Sequence, residues 1–471
     1  MDYKNIGLKS GIELHVQINS GKLFCRCPSN FVDKIPEFKF KRKLRAVVSE
    51  VGEKDVVAEY EMAKNKYAVY EMPGESSCLI EADEEPIHHI DENALRTVLQ
   101  VCLMLNAEIV DVMQVMRKQV LDFSNTSSFQ RSGILGLNGY IKTKSGEVGI
   151  NSIAIEEDAA RKINETEDHV VYRLDRLGFP LMEITTAADM NNPEQVKEVA
   201  EHLGMILKST GKIKSGIGTI RQDLNVSIKG HPRVEIKGVQ DLRAIPRIVE
   251  KEVERQIEAI KKGDVESHVR KVNPDNSTSY LRPMPGAARL YVETDHPAVR
   301  ITKEMLEEIK IPELISEKVL NLEEKYKINP HLANEIIKNK TDFDYFANRF
   351  KNIDKDFLAH ALVEIEKEIK SRFNLKIKFS KKDFEEVLDH YDKKKITKEA
   401  VFDILVEKAR GNKIDYIKYA TVSENKVGDE VKKIVKEKKE LSDNAIMGIL
   451  MYKYRGKIEA KRLMELIKEN R

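Results

Sequence analysis

The chain contains no tryptophan, only four cysteines, and no apolar run long enough to span a bilayer. Four cysteines in 471 residues exclude a disulfide-built scaffold and fit a reducing cytoplasm, the expected location. Net charge is nearly absent as well, since 80 basic and 78 acidic side chains leave +2. That balance excludes a nucleic-acid binder working through overall charge, and any such contact must come from a local cluster. The familiar phosphate and zinc signatures are also missing: there is no Walker A loop, no GxGxxG ahead of a helix and no HExxH. The opening Met1-Asp2-Tyr3-Lys4 lacks the charged-then-apolar pattern of a secretion signal.

What is present is a globular composition, 41% hydrophobic and 34% charged. A single core stops growing near ~250–300 residues, so two or three domains are expected. The first three-fifths mix short strands with helices. Residues 11–18 alternate apolar and polar with period two, as do stretches within 149–155, 180–185, 219–228 and 233–237. One apolar and one polar face per strand suits an antiparallel sheet. Asp91 is placed to cap a helix carrying Leu95, Val98, Leu99 and Cys102 on one face, and a long helix is predicted over 245–262. Beyond Thr302 nearly every segment has helical periodicity. The predicted class is α+β: a largely antiparallel sheet with helices over 1–295, a helical domain over 296–408, and a helical tail over 409–471.

The polar strand faces carry the chemistry. Glu13 and His15 are two apart and point the same way, opposite Ile12, Leu14 and Val16. Glu183, Asp223 and Glu235 occupy equivalent places on later strands, with Arg221, Arg233 and Lys237 among them. Glu156, Glu157 and Asp158 end another strand, and parity sets Glu157 on the side of Ile153 and Ile155. If these strands share one sheet, carboxylates, an imidazole and cations gather on one surface. Magnesium takes hard oxygen ligands, and phosphoryl transfer needs that metal plus cations around the phosphates. A solvated sheet face is the plain alternative for any one strand.

Five motifs then occur in order: 11–17 with 22–27, 155–161, 176–184, 220–227 and 234–237. Together they resemble the B/E family of tRNA-dependent amidotransferase subunits, over nearly the whole chain. The stretches 78–86, 122–131 and 281–289 are more similar to the archaeal E type than to the bacterial B type. The resemblance implies a catalytic cradle domain, then a helical domain and a YqeY-like tRNA-binding tail. It implies ATP and Mg²⁺, with phosphorylation of the γ-carboxylate of Glu on Glu-tRNA(Gln) and amidation to Gln-tRNA(Gln). Carried over by motif position, Glu13, His15, Glu156, Glu157, Glu183, Asp223 and Glu235 are the candidate catalytic residues. Glu13, His15, Glu156 and Glu183 are the candidate metal ligands, and Arg221 and Lys237 the phosphate partners. In the tail, Lys453, Tyr454, Arg455, Lys457 and Lys461 are candidate tRNA contacts, with Tyr454 placed to stack on a base.

No glutaminase or asparaginase signature is present, so the resemblance implies an asparaginase-like D subunit supplying ammonia, in a heterodimer or a dimer of heterodimers. Family members of the E type usually carry an inserted domain similar to one of bacterial aspartyl-tRNA synthetases. It would fall between Lys262 and Tyr280, where only a short linker stands here. A B-type subunit also acting on Asp-tRNA(Asn), and a non-catalytic binder of mischarged tRNA, stand as alternatives. Cys25 and Cys27 could form half a zinc site, but Cys78 and Cys102 stand alone in the sequence, so structural zinc is not expected.

Overall fold

The structure is a computed structural model, and it describes residues 1–36, 38–43, 62–120, 122–284, 290–375, 377–422, 424–454 and 456–471. The candidate Arg455 and residues 285–289 of the last motif lie outside the described residues. The chain forms two compact units, Met1–Leu314 and Ile315–Arg471.

The first unit is built on one large sheet. Its strands are β1 (Lys9–Gln17), β2 (Met116–Gln119), β3 (Phe129–Thr143), β4 (Gly146–Glu157), β5 (Pro180–Thr186), β6 (Ile220–Ser227), β7 (Val234–Val239), β8 (His268–Val272), β9 (Thr278–Pro283) and β10 (Leu290–Val292). They lie in the order β9-β8-β7-β6-β1-β5-β4-β3-β2-β10, and the short strand Glu108–Ile109 pairs with β3. Every described pairing in this sheet is antiparallel except β7 with β8, as the alternating strands require.

One face of the sheet is covered by three helices, α1 (Glu92–Met104), α2 (Pro193–Ser209) and α3 (Ile245–Lys262). Their apolar stripes meet Ile12, Leu14, Val16, Leu224, Val226 and Ile236 in a single core. Each such side chain, fully withdrawn from water, stabilises the fold by roughly 1.5–3 kcal/mol before entropy is counted. Asp91 does cap α1, accepting from the Ala94 N–H. Helix α2 starts at Asn192 as N-cap with Pro193 in its first turn, and α3 ends on Gly263 at φ 74°. The core reaches past residue 296, because Val299–Arg300 pairs with Val112–Met113 and Met305, Leu306 and Leu314 pack against it.

A second, four-stranded sheet was not foreseen from the sequence. It joins Phe38–Lys43, Tyr67–Met72, His169–Arg173 and Arg161–Glu165, with its own small core around Tyr70 and Tyr172. The stretch expected as a bare linker after Lys262 forms the antiparallel hairpin β8–β9. The second unit is helical, with one apolar cluster running from Ile328 to Val406 and another from Val427 to Ile467. Among the described residues no helix is long and apolar enough to cross a membrane.

Candidate active site on the open sheet face

Registry decides whether the acidic strands converge, and they do. β1 lies between β5 and β6, with His15 opposite both Glu183 and Arg221, and Glu13 opposite Asp223. Leu181 of β5 pairs with Glu156 of β4, so Glu183 and Glu156 sit on the same side of adjacent strands. The result is one polar surface on the face away from the three helices. His15 Nε2 stands 3.5 Å from Glu13 Oε1 and 3.7 Å from Glu183 Oε2. Two overlapping groups have ligand atoms all within 4.8 Å of one another: Glu13, His15 and Asp223, and His15, Glu156 and Glu183.

The cations are equally specific. Lys237 Nζ bonds Asp223 Oδ2 at 2.7 Å and Glu235 Oε1 at 2.5 Å, tying both carboxylates to one ammonium. Arg221 is held by Asp158 at 2.9 Å, and the buried Asp158 also accepts from Gln17 Nε2 at 2.8 Å. Sequence reasoning missed Lys118. It lies on the short strand β2, with Nζ 3.6 Å from both Glu156 Oε1 and Glu183 Oε2. Strand β2 is half-buried at all four positions, so no alternation marked Lys118 as facing the site. Glu157 does not join the group. Its parity turns it to the other side, where it accepts from the Arg131 backbone N–H and pairs with the Arg131 guanidinium.

Crowded carboxylates in a half-buried site resist ionisation. Burial, reinforced by Glu183, pushes Glu13 up to about 7. Burial pushes Glu156 up to about 8, with Glu183 adding to the rise and Lys118 opposing it. Burial would also raise Glu183, but the Lys118 ammonium and His15 bring it below the usual carboxylate range. Burial lowers His15, which favours the neutral imidazole. Glu183 Oε2 is buried without a hydrogen bond in the described residues. A set of unneutralised oxygen donors with one neutral imidazole is what a hard divalent cation fits. Beside them opens a cavity of about 750 Å³, lined by His15, Lys118, Asp158, Arg221, Asp223 and Lys237. On its far side stand Lys162 and Tyr172 from the second sheet.

Elsewhere two expectations change. Cys78 is not isolated in space: its thiol lies with Cys25, Cys27 and Glu81, all four ligand atoms within 4.8 Å. The fold brings the turn after β1 against residues 78–81, which sequence separation had concealed. In the tail, Tyr454 is only 6% exposed and its hydroxyl donates to Glu430, so its ring is part of the small core rather than offered to a base. Lys453 pairs with the same Glu430, Lys457 is half-buried and Lys461 is exposed. The exposed tyrosine of the tail is Tyr452, at 96%.

Residues 8–307 match the GatB/GatE catalytic domain family. The chain is 34% identical to the E-type subunit of glutamyl-tRNA(Gln) amidotransferase from Methanocaldococcus jannaschii, over 100% of this chain and 99% of the relative. It is 32% identical to the protein of the same name from Pyrobaculum aerophilum, over 100% of both chains, and 32% identical to that of Saccharolobus solfataricus, over 99% and 98%. These alignments run over 623, 613 and 631 positions against a chain of 471 residues, so the relatives contain stretches without a counterpart here. A match over the whole cradle unit and relatives of this identity along the full chain show that the protein belongs to the GatB/GatE family.

Proposed function

We propose that this chain is the ATP-using subunit of a tRNA-dependent amidotransferase, converting Glu on Glu-tRNA(Gln) to Gln. The observation that supports it most is the meeting of Glu13, His15, Glu156, Glu183 and Asp223 with Lys118 and Lys237 on one sheet face beside a cavity. A carboxylate is a poor acyl electrophile, and phosphorylation gives it a leaving group. A γ-carboxylate oxygen of the esterified glutamate attacks the terminal phosphorus of ATP, the β–γ bridging bond breaks, and ADP departs. Ammonia then attacks the acyl carbon, the carbon–oxygen bond to phosphate breaks, and one proton is lost from nitrogen.

Glu13, His15, Glu156 and Glu183 would hold Mg²⁺, which when bound offsets charge on the phosphate oxygens. Lys118 and Lys237 supply ammonium groups for the same oxygens, and Arg221 orients from the rim while Asp158 anchors it. His15, kept neutral by burial, has a free lone pair for the proton released from ammonia. Ammonia comes from a partner amidase, which the resemblance names as an asparaginase-like D subunit. The tail, through Lys457 and Lys461, is the proposed contact for the tRNA body.

The test is phosphate release from ATP by the purified chain with Mg²⁺, with and without Glu-tRNA(Gln) and with no ammonia-supplying partner. Release that rises only with the glutamylated tRNA supports the kinase step on this chain. Tight tRNA binding with no stimulation, even after the partner amidase is added, would favour the non-catalytic carrier instead.

A further inference from the structure

We propose that Cys25, Cys27, Cys78 and Glu81 form a structural site for a soft divalent cation, zinc above all, separate from the oxygen-rich site on the sheet face. Two loops supply the donors. Cys25 and Cys27 lie in the turn after β1, and Cys78 and Glu81 in the turn following Tyr67–Met72. More than fifty residues separate the pairs, yet one ligand atom from each side chain lies within 4.8 Å of the others. A tetrahedral zinc–thiolate centre with bonds of about 2.3 Å needs sulfur atoms roughly 3.8 Å apart. The four atoms therefore need to move by only tenths of an ångström to about an ångström to close on a common ion.

The surroundings favour a preformed site. Cys25 and Glu81 are buried, at 6% and 4% exposure. Cys25 Sγ donates to Glu81 Oε1 at 2.9 Å, and Glu81 Oε2 accepts from the Cys78 N–H at 2.8 Å, which fixes the carboxylate toward the thiols. The Cys27 N–H points at Cys25 Sγ from 3.4 Å, the type of backbone donor that steadies a thiolate. Three thiolates and a carboxylate around a divalent ion carry a net charge of −2. Lys22, fully buried, offsets part of it: its Nζ stands 3.4 Å from Glu81 Oε1 and is held by the Leu174 carbonyl at 3.0 Å. Four protein donors leave no open position, so the site is structural rather than catalytic. Sulfur donors select zinc over magnesium, which keeps the two metal sites distinct. The ion would fasten both loops beside Gly178, whose carbonyl accepts from the Leu23 N–H just ahead of the strand carrying Glu183.

The experiment uses the full chain, purified without chelator, with zinc measured by inductively coupled plasma mass spectrometry. A metal-free sample is then titrated with Co²⁺ and followed by sulfur-to-cobalt charge-transfer absorption, which a carboxylate–imidazole site does not give. One zinc per chain and one equivalent of cobalt with that absorption are expected. Cys78→Ser should weaken Zn²⁺ binding by more than about 100-fold, beyond what outer-shell changes cost, and Cys102→Ala should leave it unchanged. Glu81→Cys should keep the stoichiometry and add thiolate absorption, which covers the case where Cys78→Ser fails to fold. A chain that is natively folded by circular dichroism, free of zinc and silent in the charge-transfer region would overturn the proposal. So would undiminished binding in Cys78→Ser.

Discussion

A carboxylate buried beside other carboxylates can lose its charge to a proton or share it with a cation, and the two compete. Glu13, near 7, and Glu156, near 8, both sit above the ordinary value of 4.5. Between those limits the folded chain holds protons that the unfolded chain releases. These groups therefore contribute stability that is full below pH 4.5 and lost as pH rises through 7 to 8. Mg²⁺ must displace the same protons. The expected outcome is a larger Mg²⁺-induced rise in melting temperature at pH 8 than at pH 6, with proton release on binding seen by calorimetry in buffers of different ionisation enthalpy. An equal rise at both pH values would place the ion elsewhere. Substitution follows the same logic: Glu13→Gln or Glu183→Gln should lower ATP turnover by about 100-fold or more while sparing tRNA affinity. Parallel loss of both would make these residues tRNA contacts. At this scale the sequence was legible where alternation was strict, as at Glu13 and His15, whose apolar neighbours left no doubt of facing. It was not legible at Lys118, whose strand has no alternation and whose partners come from β4 and β5.

Elements were legible where local chemistry marked their ends. Asp91 before an apolar helical face gave α1, and Gly263 after a run ending in Lys261 and Lys262 closes α3. Helix α2 carries equally good signals in Asn192, Pro193 and Glu194, and its Val196, Val199, Leu203 and Leu207 fall on one face. The second sheet left no such trace. Tyr67–Met72 pairs in parallel with His169–Arg173, about a hundred residues away, and nothing local announces a partner at that distance. Sequence distance likewise hid the meeting of Cys78 with Cys25. Capping gives a prediction at this scale. Removing the Asp91 carboxylate leaves the Ala94 N–H unbonded at the start of a helix that packs under β3 and β4. Asp91→Ala should destabilise the first unit by about 1 kcal/mol, read as a lower urea midpoint with an unchanged slope. No change in the midpoint would show that water replaces the cap fully.

At the scale of the whole molecule, three separate apolar clusters lie in sequence order along the chain: the large sheet core, the cluster from Ile328 to Val406, and the tail cluster from Val427 to Ile467. Each closes on its own residues, so loss of one need not unfold another. The tail cluster begins just after Thr421, whose N–H donates to the Lys395 carbonyl. A chain ending at Thr421 keeps Tyr416 and Tyr419 packed on the middle cluster and removes Lys457, Lys461 and the exposed Tyr452 together. If the proposed division holds, this shortened chain retains the full Mg²⁺-dependent thermal shift, because every proposed ligand lies between Glu13 and Asp223. Its affinity for the tRNA should fall by about tenfold or more, and the salt dependence of binding should flatten by about one unit per lost phosphate contact. Filter binding across a salt series separates the outcomes. A weaker affinity with an unchanged salt slope would assign the tail a shape or stacking role centred on Tyr452. Unchanged affinity would move the tRNA contact off the tail and onto the first unit, where Lys162 and Arg282 line the same cavity as His15.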